Sequence, residues 1–490
     1  MTKHLPLALM ILASSVLGCT EMPVKNEIYD RLSWHRPGGF QDSLLVGTLE
    51  VFENRETQTG RMIPLFVAVT PALVRDSLQE PIFIIDGGPG IGVSHQAYFY
   101  TELDTTYRRY HDIVFVDARG TGRSSPLHCP ALQSKRSPAE YFSHPFPQEE
   151  LEACLEMYRD SVDLNFYQTK YLVEDLEEVR RWLGYDQINL LGISFGGKVA
   201  LMYMDRHPSS IHRVVLHAPD GPNIDHLSMR GRSGQQALEV LFQYCREDPA
   251  CHAQYPNLSQ EFQALMARLQ ESDLTTEVAV DDSLQAVHLA WPPVAAKIVE
   301  MLYEDLSYIQ IPFIIHEAYL ENYQPLLEAM HVTSTDTNYF YADGMWLSNV
   351  CAEDVPQAII NYDAAETATF LGDYIYQTRR DACRYWPVTP ADESAYASVV
   401  SDIPTLILSG QLDPVTPPET GAEIAGRLSQ SRHIILPYMG HMIAALSNMG
   451  CYDTYVLSFL EGREDQASVD CFDEMKPMPF KVAAMQDGSE

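Results

Sequence analysis

Ser194 lies in "INLLGISFGGKVALMY" (188–203), with Gly192 before it and Gly196 and Gly197 after it. The stretch begins as a continuous apolar run and ends as a helical one, so the hydroxyl falls on the turn between strand and helix. A side chain lifted by so tight a turn is held in a strained conformation, and bulky neighbours would clash with it. That accounts for small residues at 192, 196 and 197. A serine is a weak nucleophile until a base takes its proton and an acid orients the base. Both types follow at the ends of later apolar runs. "LILSGQLDPVTPP" (406–418) puts Asp413 on the loop after one run, and "IILPYMGHMI" (434–443) puts His441 after the next. His441 would accept the Ser194 proton, and Asp413 would fix its tautomer and stabilise the imidazolium. Any one of the three alone has a plain structural explanation, since most of the 16 histidines are surface or core residues. All three at strand ends, in this order, favour nucleophilic catalysis.

A fourth element is "IIDGGPGIG" (84–92). An acyl-transfer site needs two N–H donors for the developing oxyanion. The residue after the nucleophile, Phe195, supplies one, and the loop after the third strand supplies the other. Gly88 is the choice there, because a glycine lets the backbone approach the oxyanion. A nucleotide loop is the competing reading, but no G-x-x-x-x-G-K-[ST] is present.

These residues require a particular frame. Segments 43–52 and 62–70 alternate like an opening hairpin. Runs at 81–86, 112–117, 188–194, 212–219, 404–410 and 432–438 are short and continuously apolar, as in a sheet buried on both faces. Helical segments intervene, among them 169–184, and strand–helix alternation is the signature of a parallel α/β sheet. Serine, acid, histidine is the chain order of the α/β-hydrolase fold. The rhythm fails between about 225 and 395, which reads as amphipathic helices rich in aromatics. The expected plan is a hydrolase core at 41–224 and 396–478, a mainly helical cap at 225–395, and a flexible tail at 479–490. Ligands of such sheets bind at the carboxyl ends of the strands, so the cap would cover the site.

The 490 residues are too many for one compact core, and 46% hydrophobic with 20% charged residues is an ordinary globular composition. A formal net charge of -34 excludes a nucleic-acid role and gives weak support for a cationic ligand. The start, "MTKHLPLALMILASSVLGC", has a basic end, an apolar run too short to span a bilayer, and then Gly18-Cys19. "VLGC" resembles a bacterial lipobox, with Val16 where leucine is usual. The expectation is a signal peptide over 1–18, a lipid on Cys19, a linker over 19–40, and an outer-membrane lipoprotein facing the periplasm. A plain signal peptide with an incidental cysteine is the alternative. Threonine at 20, rather than aspartate, favours the outer membrane. The lipid would be the sole contact with the membrane.

Eight cysteines remain: Cys129, Cys154, Cys245, Cys251, Cys351, Cys383, Cys451 and Cys471. An even number in an exported chain points to disulfides, and sequence neighbours pair as 129–154, 245–251, 351–383 and 451–471, one of about 105 connectivities. None has metal-ligand spacing and no H-E-x-x-H accompanies them. Neither a metal nor another cofactor is expected.

"DGGPG" (86–90), "DARGTGRSS" (117–125), "GISFGG" (192–197), "GQLDPVTPP" (410–418) and "GH" (440–441) together resemble the proline iminopeptidase family of serine aminopeptidases. The likeness is greatest to exported members, including tripeptidyl aminopeptidases with a TAP-like C-terminal region. It covers about residues 40 to 475 and is weakest through the cap. The cysteines at 451 and 471 also look like that region. Asp86 departs from the H-G-G-P-G of many relatives. The resemblance implies that Arg119 and its loop brace the site without taking part in catalysis. It also implies a peptide substrate with a free N-terminus, whose ammonium needs carboxylates in the cap. "VCAEDVP" (350–356) is the expected place, with Glu353 preferred and Asp354 second; a disulfide-anchored acidic turn is the competing reading. Tyr339, Phe340, Tyr341 and Trp346 are candidates for an apolar side-chain pocket, with core packing the plainer use. The leading function is an exported serine aminopeptidase releasing proline or a short peptide. An esterase or lactonase with the same three residues is the second, and a non-catalytic binding lipoprotein the third.

Overall fold

The protein is described from a computed structural model, over residues 31–36, 43–75, 78–102, 106–133, 137–138, 140–271, 274–280, 283–332, 341–363, 367–442 and 446–482. The signal peptide, Cys19, Tyr339, Phe340, most of the linker and the tail from 483 lie outside these residues.

Nine strands form one sheet: β1 (Ser33–His35), β2 (Leu44–Asn54), β3 (Thr59–Thr70), β4 (Ile82–Ile85), β5 (Ile113–Val116), β6 (Ile188–Ile193), β7 (Ile211–His217), and, after two cap strands, β10 (Thr405–Gly410) and β11 (Ser431–Leu436). Their spatial order is β1-β2-β3-β5-β4-β6-β7-β10-β11. The hairpin end is antiparallel through the β3–β5 pair, and every pair from β5 to β11 is parallel. This is the α/β-hydrolase frame expected from the runs of apolar residues.

The apolar strands serve both faces because alternate side chains point opposite ways. Phe83, Val114, Leu190, Val214 and Ile407 share one core with Leu172, Val173, Leu176 and Val179 of the helix Thr169–Leu183. Ile84, Phe115, Leu191, Val215 and Leu408 pack on the other face against Tyr452, Tyr455, Val456 and Phe459 of the helix Met449–Leu460. The sheet has no solvent face along these strands, so the strand ends are where polar chemistry can be placed.

Between β7 and β10 the chain forms a helical layer with its own core, in which Leu238, Leu241, Phe262, Leu265, Ile298 and Ile315 pack together. It contains one element that the helical reading of this region omits, an antiparallel hairpin of β8 (Thr275–Val280) and β9 (Ser283–His288). One face is exposed, Leu284 included, and the other buries Val278 and Val287; six residues a strand are too few to stand out among helices.

Two disulfides, Cys245–Cys251 and Cys351–Cys383, lie within the layer; Cys129–Cys154 and Cys451–Cys471 lie outside it. Close backbone approach joins the layer to the sheet. A Cβ on Gly440 would stand 2.4 Å from the Leu302 carbonyl oxygen, and the Met442 N–H donates to the Tyr303 carbonyl at 2.8 Å. The first residues beyond 478 return to the layer, where the Lys481 N–H donates to the Ile309 carbonyl at 3.0 Å.

Candidate active site

Ser194 follows β6 and precedes the helix Phe195–Arg206, with φ 54° and ψ -120°. A non-glycine residue at positive φ is strained, and here the surrounding glycines are what permit it. A Cβ on Gly196 would lie 2.1 Å from the Ile85 carbonyl oxygen, and one on Gly192 2.5 Å from that of Gly196. The turn is therefore wedged between β4 and its own helix, where side chains cannot enter.

The Ser194 hydroxyl lies 2.9 Å from His441 Nε2. His441 Nδ1 lies 2.9 Å and 3.0 Å from the two Asp413 oxygens. A carboxylate only accepts, so Nδ1 carries the proton and Nε2 presents its lone pair to the serine. Asp413 also accepts from the Val415 and Thr416 N–H groups at 2.8 and 3.0 Å. Burial works to raise the Asp413 carboxyl, but His441 and these amides outweigh it and hold it below the usual carboxylate range. The Tyr303 ring packs edge-on to His441, with centroids 5.1 Å apart. Beneath the serine, the His217 carbonyl accepts the Ser194 N–H at 3.0 Å. Burial and the neighbouring His441 push the His217 imidazole down to about 4, so it stays neutral beside the reacting group.

Gly88 and Phe195 line the same cavity as Ser194. Gly88 has φ +121°, a conformation that glycine reaches without strain. The neighbouring Gly87 N–H donates to Asp86 Oδ1 at 2.7 Å. Asp86 is held further by the Gln96 amide.

The cavity encloses ≈ 410 Å³ and also exposes Asp220, His226, Arg230, Tyr303, Tyr341 and Asp354. The two acidic candidates at 353 and 354 part company here. Asp354 lines the cavity. Glu353 does not: it is buried, accepts from the Thr169 N–H and hydroxyl at 2.6 and 2.7 Å, and pairs with Lys198 at 2.9 Å. Its acceptor capacity is spent on joining the cap to two helices of the sheet layer, so the carboxylate preferred from sequence stands away from the cavity. Lys198 also pairs with Asp354 at 3.1 Å. Burial opposes its charge, but Asp354 and Glu353 prevail and raise the ammonium's pKa above its usual value.

His226 stands between two carboxylates, 3.4 Å from Asp220 and 3.7 Å from Asp354. Burial opposes protonation, yet Asp220 and Asp354 overcome it and raise the imidazole. Asp220, Glu353 and Asp354 thus share Lys198 and His226 as their partners.

Arg119 is fully buried in a bidentate pair with Asp175, at 2.7 and 2.8 Å. It braces the loop and is absent from the cavity wall. Tyr341 lines the cavity, while Trp346 stacks on Phe146 with centroids 5.4 Å apart. Sequence reasoning missed Asp220, His226, Arg230, Tyr303 and Thr416. Asp220 follows β7 in "HAPDG", a strand-end position that could have drawn notice. Thr416 lies within the Asp413 loop, where its hydroxyl is 2.9 Å from Asp413 Oδ2. His226 and Arg230 sit on the helix His226–Glu247 and Tyr303 on the turn after Trp291–Met301, and neither segment carries a motif. Among the described residues no cluster of His, Cys, Asp and Glu has the arrangement of a metal site.

Comparison with known proteins places this geometry. Residues 80–250 match the family described as alpha/beta hydrolase fold, and residues 368–471 match TAP-like protein. The chain is 27% identical over 282 residues to the Escherichia coli protein YuaR, covering 53% of this chain and 55%, about half, of that one. It is 23% identical over 461 residues to serine protease Hip1 of Mycobacterium tuberculosis, covering 87% of this chain and 86% of that one. It is 22% identical over 424 residues to tripeptidyl aminopeptidase of Streptomyces lividans, covering 80% and 76%.

Proposed function

We propose that this chain, which matches the alpha/beta hydrolase fold and TAP-like families and is similar to proline iminopeptidases and tripeptidyl aminopeptidases, is an exported serine aminopeptidase that releases proline or a short peptide from the N-terminus of its substrate. Ser194 Oγ attacks the scissile carbonyl as His441 Nε2 takes its proton. The oxyanion is held by the Gly88 and Phe195 N–H groups. The imidazolium, stabilised by Asp413, returns the proton to the leaving amine, and an acyl-enzyme remains on Ser194. Water, deprotonated by His441, then attacks the ester and restores the serine.

The substrate's ammonium sits against Asp354 and Asp220; the third carboxylate on the cavity, Asp86, already accepts from Gly87 and Gln96. The observation that carries the reading is the unbroken line of 2.9 Å contacts from Ser194 through His441 to Asp413, opening on a cavity with buried carboxylates of its own. Among the described residues no helix is long and apolar enough to cross a membrane. Residues 1–19 direct export and anchor the chain by a lipid on Cys19.

The test is hydrolysis of a panel by the protein lacking residues 1–19: Pro-, Ala- and tripeptidyl anilides, their N-acetyl forms, and a short-chain ester. Free-amine anilides are cleaved and acetylated ones are not. Ser194→Ala lowers turnover by about 10⁴-fold or more. Cleavage of the ester with every anilide untouched would move the protein to the esterase reading.

A further inference from the structure

The cavity also carries positive charge. Arg230 lines it one helical turn beyond His226, on the helix His226–Glu247. Its Nη1 donates to the Tyr303 hydroxyl at 3.1 Å, and among the described residues its buried Nε has no partner. Arg379, on the helix Tyr374–Cys383, is within electrostatic range of Arg230, and the Trp346 ring beneath it lies 6.4 Å from that of Tyr341, centroid to centroid. Arg379 donates to the Ile375 carbonyl and the Thr378 hydroxyl and stands over the Trp346 ring at 5.6 Å. Neither arginine pairs with a carboxylate among the described residues. Both are partly buried, and in a chain with 67 acidic and 33 basic residues two guanidiniums without a carboxylate among the described residues stand out, because charge drawn away from water is ordinarily matched. Arg55 and Arg119 show the ordinary case, each bound to Asp175. Burial and the Arg230 charge lower Arg379 to about 10, which still leaves it cationic at neutral pH.

We infer that Arg230, backed by Arg379, is a specificity-determining anion subsite that receives a carboxylate of the peptide substrate while Asp220 and Asp354 receive its ammonium. This rests on the peptidase reading above and names the substrate class: short or acidic peptides that bring both charges into one cavity. Guanidinium is the donor suited to a planar carboxylate, which it can bind through two parallel N–H groups. The Tyr303 ring lies against His441, so a carboxylate on Arg230 is held within reach of the reacting centre. Two sources supply such a group, the C-terminus of a di- or tripeptide and the side chain of glutamate or aspartate.

The experiment measures binding to the Ser194→Ala protein by calorimetry, and turnover by the unsubstituted protein. One arm compares Ala-Ala-Ala with its C-terminal amide; the other compares Glu-Ala-Ala-amide with Gln-Ala-Ala-amide. At least one carboxylate member binds about tenfold or more tightly than its neutral partner, and the arm that shows it identifies the source. Arg230→Gln brings that ratio to about one, and Arg230→Lys keeps part of it. Arg379→Gln lowers the ratio as well, which guards against a local folding defect at 230. Equal binding of both members in both arms overturns the subsite, as does a ratio unchanged in Arg230→Gln. If the amides are hydrolysed without carboxylate preference, the peptidase reading stands and the subsite falls. If nothing is hydrolysed yet the ratio is present and depends on Arg230, the subsite stands and the peptidase reading falls.

Discussion

Two Asp–His pairs face one cavity, and the group at the far imidazole nitrogen separates them. His441 has Asp413 at Nδ1 and a hydroxyl at Nε2. His226 has Asp220 at Nδ1 and a second carboxylate, Asp354, at Nε2. The first ring therefore keeps one proton and one lone pair, the state a general base needs. The second is most stable with both nitrogens protonated, as a cation held between two anions. The same residue types give a ring that faces a hydroxyl in one place and a ring between two carboxylates in the other. Neither motif nor burial makes that difference; it lies in what each ring faces.

Breaking the pairs one at a time gives the largest contrast. Asp413→Asn should lower kcat by about 10³–10⁴-fold, because an amide no longer enforces the Nδ1–H tautomer. Asp220→Asn should instead raise KM for free-amine peptides about tenfold and leave kcat within a few-fold. Steady-state kinetics on one anilide reads both; equal losses of kcat would erase the distinction.

The next effect is on stability. Lys198→Met removes the cation shared by Glu353 and Asp354 and should cost about 3–5 kcal/mol, because two buried carboxylates lose their partner. Urea denaturation measures it. The cost should shrink in Lys198→Met combined with Glu353→Gln, where charges leave together. An unchanged midpoint in the single variant would show that the buried cluster contributes nothing.

The smallest effect is the dependence on pH. His226 is raised, so it stays protonated to higher pH than a free histidine. As pH rises through that value the proton leaves, and Asp220 and Asp354 become fully available to a substrate ammonium. Lys198, Arg230 and Glu353 are the other charged side chains of this cluster. KM for free-amine substrates should therefore fall a few-fold as pH rises toward the α-amino pKa of about 7.7–8 and climb beyond it as the substrate loses its ammonium, while KM for an ester without an amine stays flat. Stability has its own sign. A raised pKa gives stabilisation that is complete below the unfolded value of about 6.5 and is lost as pH rises through the folded value. His226→Gln should cost most in acid. Asp413 and Asp220 are lowered, so their contribution runs the other way, present at neutral pH and lost as pH falls through their folded values. Denaturation midpoints across pH for the single variants separate the two signs.

The frame was legible from sequence because its signals are local. Continuous apolar runs at 82–85, 113–116, 188–193 and 405–410 can satisfy only a sheet covered on both faces. The glycines at 192, 196 and 197 record contacts within a few residues of Ser194 and with the adjacent strand. Asp413 and His441 were findable because each ends a strand, and parallel strands deliver their carboxyl ends to one edge. The β8–β9 hairpin escaped notice because six residues a strand, beside long helices, carry little weight.

The carboxylate assignment in the cap shows where sequence runs out. Glu353 and Asp354 are adjacent at the start of the helix Asp354–Asn361, and successive helical residues point about 100° apart. Sequence narrows the choice to this pair, but the rotation of the helix against the sheet sends Glu353 to Lys198 and Thr169 and leaves Asp354 on the cavity. Arg230, Tyr303 and Arg379 come from three separate cap segments and meet only through packing. The sequence by itself determined the sheet, the turn that lifts Ser194, and the order of serine, acid and base, because chain-local sterics and hydrophobic period set them. Tertiary structure alone decided which cap charges face the cavity, because helix packing fixes side-chain direction and no short stretch of sequence records it.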